Sequence, residues 1–160
     1  MEKFDAIRPY RDEEIKEVLE RLLKDRDFLG SVANFYYPIL TSALPSPMRW
    51  LAKSKLRSQL KDVYTVRSMQ DVIAEYMDKM IHDTTTKLTH SGMHNLEEGR
   101  NYLFISNHRD ITMDPAFVNY MLYHAGYETL QIAIGDNLLK EPFVTDLMRL
   151  NKSFIVQRSL

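Results

Sequence analysis

The C-terminal part of the chain alternates regularly between two hydrophobic patterns, and this alternation constrains the fold most. Short apolar runs bounded by polar residues are typical of buried strands. Three such runs occupy residues 102–105, 130–134 and 152–156. Helical segments at 114–124 and 142–148 separate them, each with a proline in the favoured first turn. Strand, helix, strand, helix, strand predicts a βαβαβ unit with a parallel sheet and right-handed crossovers.

The first half of the chain has helical periodicity instead. Apolar residues recur there at three- and four-residue spacing, which predicts helices over 12–24, 47–60 and 68–87. We therefore expect an α/β protein in which a helical N-terminal region, residues 1–90, precedes the parallel-sheet unit of residues 91–160.

Composition excludes several classes of function. The 160 residues include no cysteine, which rules out a disulfide framework, a thiolate metal site and a cysteine nucleophile. The net charge of −1 argues against a nucleic-acid partner, because nucleic-acid-binding proteins usually carry a clear basic excess. His90 and His94 have the i, i+4 spacing of helical metal ligands, but Gly92 interrupts a helix between them. No metal site is predicted.

One region predicts contact with a membrane surface. Residues 28–48 carry no charge, but Gly and Pro interrupt this run and only about half of it is apolar, so no spanning helix is expected. Residues 48–67 follow with six basic side chains against Asp62. A basic amphipathic helix of this kind can lie on an anionic bilayer. We expect peripheral membrane contact through 28–67, with a solvated helix face as the alternative.

The polar segment after the first predicted strand carries the candidate chemistry. Ligands of open α/β sheets gather at the carboxyl ends of strands, where His108 stands with Asp110 and Asp114 close behind it. A histidine oriented by a carboxylate can remove a proton from a hydroxyl near neutral pH. The alternative is a capping histidine in an ordinary strand-to-helix turn.

Four short motifs in the C-terminal half resemble those of the glycerolipid acyltransferase superfamily, which includes lysophosphatidate and glycerol-3-phosphate acyltransferases. The resemblance runs from about Lys87 to the end of the chain. Its motifs, in order, are Gly92-Met93-His94-Asn95-Leu96, Phe104-Ile105-Ser106-Asn107-His108, the segment from Asp136 to Phe143, and Phe154-Ile155-Val156-Gln157-Arg158. The resemblance implies that residues 91–160 form the front part of an acyltransferase α/β domain.

Two departures from the family pattern affect the candidate site. The family signature is His-(x)4-Asp, whereas Asp114 is the sixth residue after His108. We favour Asp114 as the partner of His108, because it keeps the family's carboxylate at the mouth of the following helix, and Asp110 is the alternative. The chain also stops two residues after Arg158, before the family's third and fourth motifs, and is expected to be a fragment.

The resemblance implies transfer of a fatty acyl group from acyl-CoA or acyl-carrier protein to a hydroxyl of a glycerol-phosphate or lysophospholipid acceptor. His108 would be the general base, Arg158 would bind the acceptor phosphate, and Asn107 and Arg109 would contact substrate. No metal or resident cofactor is implied. The expected role is phospholipid biosynthesis in the cytoplasm, at the inner face of the membrane, and exposed sheet edges favour a dimer.

Two other functional hypotheses stay open. A truncated or degenerate domain would act without catalysis, through membrane or partner association. The nucleotide sequence beyond Leu160 would discriminate it from an enzyme fragment. A hydrolase could pair His108 with Ser106 or Ser153, but the sequence lacks the Gly-x-Ser-x-Gly elbow of such enzymes.

Overall fold

A computed structural model describes residues 4–107 and 109–158. The described chain forms seven α-helices and two strands, in the order α1 (Asp12–Leu22), α2 (Arg26–Tyr36), α3 (Pro38–Ala43), α4 (Pro45–Gln59), α5 (Val66–Thr84), α6 (Met113–His124), β1 (Ile132–Gly135), α7 (Pro142–Leu150) and β2 (Ser153–Val156). These elements fall into two compact units. The first holds residues 4–72 and 131–158, and the second holds Ile73–Leu130.

The first unit begins with amphipathic helices whose starts are encoded locally. Glu14 accepts a hydrogen bond from the backbone N–H of Arg11 at 2.7 Å, which caps the N-terminus of α1. Asp25 caps α2 by accepting from the N–H groups of Asp27 and Phe28. The apolar face of α1 supplies four core residues, namely Ile15, Val18, Leu19 and Leu22.

The sheet of the first unit is parallel, as the sequence predicts. Ile132 pairs with Ser153 and Gly135 with Val156, and α7 makes the crossover between β1 and β2. The N–H of Ile155 donates to the carbonyl of Ile7 at 2.8 Å, so the N-terminal segment contacts the backbone of β2. This hydrogen bond satisfies a backbone donor that an open edge would leave unpaired.

The second unit holds most of α5, a 3₁₀ turn at Met93–Asn95, and α6. Tyr120 donates a hydrogen bond to Asp78 of α5 at 2.9 Å, and His124 lies 3.1 Å from the same carboxylate. Asn119 is buried and accepts from the N–H of Leu130 at 2.8 Å. These side-chain contacts join α5, α6 and the end of the unit.

The α/β class is confirmed, but the strand predicted over 102–105 is wrong. Residues 101–107 carry no regular secondary structure, and the described sheet has two strands instead of three. Leu103 is 85% exposed and Ile105 is 88% exposed, whereas Tyr102 and Phe104 are about half as exposed and their rings touch. A short apolar run predicts burial, but strand formation also needs a hydrogen-bonding neighbour, which local sequence does not specify.

The helical predictions hold with shifted boundaries and two omissions. The predicted helices over 12–24, 47–60 and 68–87 correspond to α1, α4 and α5. The uncharged run after Asp27, for which no helix was predicted, forms α2 and α3. The α3 helix buries none of its residues, so it has no apolar periodicity by which it could be recognised.

Two further predictions concern a membrane-spanning helix and the division into domains. Within the described residues, no helix combines the length and apolarity that crossing a bilayer requires. The predicted division into residues 1–90 and 91–160 stays a prediction.

Candidate functional site

Asp114 lies in the first turn of α6, and its carboxylate turns back over the loop that precedes the helix. Its Oδ2 accepts a hydrogen bond from the backbone N–H of Arg109 at 2.6 Å and another from Asp110 at 2.8 Å. A helix N-terminus also favours a nearby negative charge. The loop backbone therefore fixes this carboxylate beside the residues that directly follow His108. His108 itself lies outside the described residues.

Asp110 has a different task in the same loop. Its Oδ1 accepts from the backbone N–H of Thr112 at 2.9 Å and of Met113 at 2.7 Å. This is the pattern by which an Asx side chain caps a helix, so Asp110 satisfies donors at the start of α6. The predicted start of this helix at residue 114 is therefore one residue late. The helix begins at Met113, and Asp110 supplies the capping carboxylate from the preceding turn.

The other residues predicted beside His108 are on the surface of the second unit. Asn107 and Arg109 are both exposed. Arg109 contributes its backbone N–H to the Asp114 carboxylate, and sequence motifs do not predict such a main-chain role. The structure thus brings together Arg109, Asp110 and Asp114 around one loop.

Arg158 lies in the first unit, just beyond the end of β2. Its backbone N–H donates to Asp136 Oδ1 at 3.2 Å, which joins the segments that follow the two neighbouring strands. Its side chain passes over Gly135. A Cβ placed on Gly135 would lie 3.3 Å from both Cδ and Nε of Arg158. The absence of a side chain at Gly135 therefore gives the Arg158 side chain the space that it occupies.

A polar cluster of the first unit has no counterpart in the sequence prediction. Asp146 of α7 is 8% exposed and accepts from the Tyr10 hydroxyl at 2.6 Å and from Arg21 Nε at 2.7 Å. The Arg149 guanidinium lies over the Tyr10 ring, 4.0 Å from its centroid, and donates to the carbonyls of Asp5 and Arg8. These contacts attach the N-terminal segment and α1 to α7.

Electrostatics in this cluster follow from burial and charge. Burial, together with donation to Asp146, raises the pKa of Tyr10 to about 12. Burial alone would raise the pKa of Asp146, but its hydrogen bonds with Arg21 and Tyr10 outweigh that effect and lower the pKa.

A cavity of about 330 Å³ lies beside the cluster between α1 and α7, with Leu22 and Phe143 among its apolar lining.

Within residues 4–107 and 109–158, no three His, Asp or Glu side chains come close enough together to hold a metal ion.

Comparison with known proteins identifies one match. Residues 87–160 match the family model described as Acyltransferase. No curated protein and no solved structure matches the chain. The matched segment contains both aspartates of the loop, Gly135 and Arg158, and its extent agrees with the resemblance found from the motifs.

Proposed function

We infer, from the match of residues 87–160 to the acyltransferase family model, that this protein is an acyltransferase of the glycerolipid class. It transfers a fatty acyl group from acyl-CoA or acyl-carrier protein to a hydroxyl of a glycerol-phosphate or lysophospholipid acceptor. The family match is the observation that carries this proposal. The arrangement of the loop around Asp114 supports the assignment of residues within it.

His108 acts as the general base in this proposal. Its imidazole takes the proton from the acceptor hydroxyl as the oxygen attacks the thioester carbonyl, and a tetrahedral intermediate forms. Collapse of this intermediate breaks the carbon–sulfur bond, and the thiolate leaves and takes the proton back from the imidazolium. General-base assistance of this kind is typically worth about 10²–10⁴-fold in rate.

Asp114 is the proposed partner of His108. Two backbone N–H donors, from Arg109 and Asp110, hold its carboxylate in the loop that follows His108. A carboxylate held in this way can fix the imidazole tautomer and stabilise the imidazolium. Asp110 is the alternative partner, and its Oδ1 accepts from the two N–H groups at the start of α6.

Arg158 is the proposed binding group for the acceptor phosphate. A guanidinium stays charged and makes bidentate hydrogen bonds with phosphate oxygens. The space above Gly135 supports this role, because it leaves the arginine side chain room at the end of the parallel sheet. Asn107 and Arg109, both exposed beside His108, are proposed to contact the substrates.

The proposed setting is phospholipid biosynthesis in the cytoplasm, at the inner face of the membrane, where acyl donors and lysophospholipid acceptors meet. The proposed acyl transfer needs no metal and no resident cofactor.

Acyl transfer from radiolabelled acyl-CoA or acyl-carrier protein to glycerol 3-phosphate or lysophosphatidate tests the proposal. We expect His108→Ala to lose at least about a hundredfold in turnover, the lower end of a general base's contribution. His90→Ala is the matched control, since His90 is an exposed histidine of the same family segment. The assay uses the full-length protein, and a full-length wild type that transfers no acyl group from either donor, or a fully active His108→Ala variant, contradicts the proposal.

A further inference from the structure

Helices α3 and α4 present an exposed apolar and basic surface for which the proposed chemistry has no use. We propose that this α3–α4 surface, formed by residues 38–61, docks the protein onto an anionic lipid bilayer. The inference concerns a partner and not the reaction, so it stands or falls independently of the acyl-transfer proposal.

The first observation is the exposure of large apolar side chains. Ile39 is 84% exposed and Trp50 is 69% exposed, and Leu40 and Leu44 are each about half exposed. The whole of α3 buries no residue. Single exposed apolar residues are ordinary on a protein surface, but a contiguous apolar patch marks an interaction site.

The helices beneath these side chains have a small core of their own. Ala33, Met48 and Ala52 are buried together, with Val32 and Tyr37 packed against them. This core places the buried face of α4 toward α2. Trp50, Lys53 and Arg57 stand on the opposite side of α4, at the i, i+3, i+7 spacing of one helical face.

The second observation is the separation of charge. No acidic residue occurs from Phe28 to Lys61, a segment that carries five basic residues, while the chain as a whole has a net charge of −1. Lys55 lies 3.6 Å from the centre of the Tyr36 ring, so one of these cations is held over the aromatic residues. The basic charge and the exposed apolar side chains thus belong to the same segment of the chain, residues 38–61.

Charge complementarity selects an anionic bilayer over other partners. Two copies of the α3–α4 surface would repel each other, because both are basic and neither has an acid to offer. A nucleic acid would use the cations but would leave the aliphatic side chains of α3 in water. A bilayer of anionic lipid accepts both parts, since apolar side chains enter the headgroup boundary and the basic residues stay among the phosphates.

Trp50 allows a direct test, because it is the only tryptophan of the chain and lies on the proposed surface. Fluorescence is recorded with vesicles of phosphatidylcholine alone and with vesicles that also contain phosphatidylglycerol. We expect a blue shift of the emission, quenching by brominated lipid, and co-sedimentation with the phosphatidylglycerol vesicles only. High salt should weaken all three effects, because it screens the headgroup charge.

Charge-reversal variants distinguish this docking from nonspecific adsorption to vesicles. The variant Lys53→Glu/Arg57→Glu/Lys61→Glu keeps Trp50 and should bind phosphatidylglycerol vesicles roughly a hundredfold more weakly, from the usual contribution of each basic residue. The control reverses three exposed cations on and beside α1, in the form Lys16→Glu/Lys24→Glu/Arg26→Glu, and should bind as wild type does.

A second pair of variants tests the exposed apolar side chains of the α3–α4 surface. Ile39→Ser/Leu40→Ser should lose most of the blue shift, whereas Leu103→Ser/Ile105→Ser, at two strongly exposed positions of the second unit, should keep it. Circular dichroism confirms that each variant is folded. Three results overturn the proposal: no shift with anionic vesicles, equal loss in the charge control, or self-association through α3–α4 in place of vesicle binding.

Discussion

The carboxylate of Asp114 accepts a 2.6 Å hydrogen bond from the backbone N–H of Arg109, five residues earlier in the chain. The N–H of Asp110 adds a second bond to the same oxygen at 2.8 Å. The Asp114 side chain thus connects the start of α6 to the loop that precedes it through two hydrogen bonds.

The two aspartates are expected to respond differently to the loss of charge. Asp114→Asn removes the negative charge proposed to orient His108 and should reduce acyl-transfer turnover by about 10²–10⁴-fold, the range of general-base assistance. Asp110→Asn should keep most of the activity, because asparagine caps a helix about as well as aspartate does. Steady-state turnover of the two variants checks this prediction.

Stability measurements provide the control for this pair. Asp110→Ala removes the acceptor for the N–H groups of Thr112 and Met113 and should cost about 1 kcal/mol of unfolding free energy. Asp110→Asn should cost only a few tenths of that amount. Equal turnover in Asp114→Asn and wild type would remove Asp114 from the proposed mechanism.

Gly135 is expected to control the affinity for a phosphorylated acceptor. A Cβ at this position would lie 2.5 Å from Asn137 Oδ1 and 3.3 Å from two atoms of the Arg158 side chain. Gly135→Ala should therefore displace Arg158 and raise the KM for glycerol 3-phosphate about tenfold, the value of one hydrogen bond to a charged group. The KM for the acyl donor should not change.

Asn137→Ala separates the two clashes at this position. Asn137→Ala removes the amide that a Cβ at Gly135 would meet and leaves Arg158 in place. The KM of this variant for glycerol 3-phosphate should therefore equal that of the wild type. The double variant Gly135→Ala/Asn137→Ala should still have the raised KM. A normal acceptor KM in the double variant would show that Arg158 does not bind phosphate in the way proposed.

Gly30 offers a stability prediction that is independent of function. It lies within α2, and a Cβ there would have no neighbour within 4 Å. Gly30→Ala should raise the unfolding free energy by about 0.5–1 kcal/mol, because alanine loses less backbone entropy on entering a helix. Gly126→Ala should act in the opposite direction, since Gly126 has a φ of +85°. Urea denaturation measures both changes.

The sequence predicted the elements whose boundaries are marked by local residues. Pro142 opens α7, Gly126 follows α6, and the apolar runs around β1 and β2 pair in parallel as expected. The strand over 102–105 failed because pairing is a non-local property, and α3 was missed because it has no buried face. Local pattern therefore recovered the sheet of the first unit but not the conformation of the loop before α6.

The candidate site also has features that the sequence predicts and features that only the structure shows. Residue spacing predicted both aspartates as candidate partners of His108, but it could not show which backbone N–H groups each carboxylate accepts. The cluster around Asp146 gave no sequence signal at all. Tyr10 and Asp146 are 136 residues apart, and only the folded chain brings a tyrosine hydroxyl to that carboxylate.

This cluster predicts a loss of stability at high pH. The pKa of Tyr10 is raised to about 12, so the folded state keeps the phenol protonated where the unfolded state, with a pKa near 10, begins to ionise. The stabilisation is therefore complete below about pH 10 and is lost as the pH rises toward 12. The urea midpoint of the wild type should fall across this window, and that of Tyr10→Phe should fall less. Tyr64→Phe is the matched control at an exposed tyrosine and should retain the wild-type slope.

The same cluster predicts a second loss at low pH. The lowered pKa of Asp146 means that its contribution is present above the unfolded value of about 3.9 and disappears as the pH falls through the folded value. Asp146→Asn should lose stability at neutral pH and show a smaller further decrease on acidification, because no carboxylate remains to be protonated. Arg21 stays charged throughout, so the acid-dependent change belongs to Asp146. Urea midpoints for both proteins between neutral pH and about pH 3 measure it, and parallel curves would contradict the assignment.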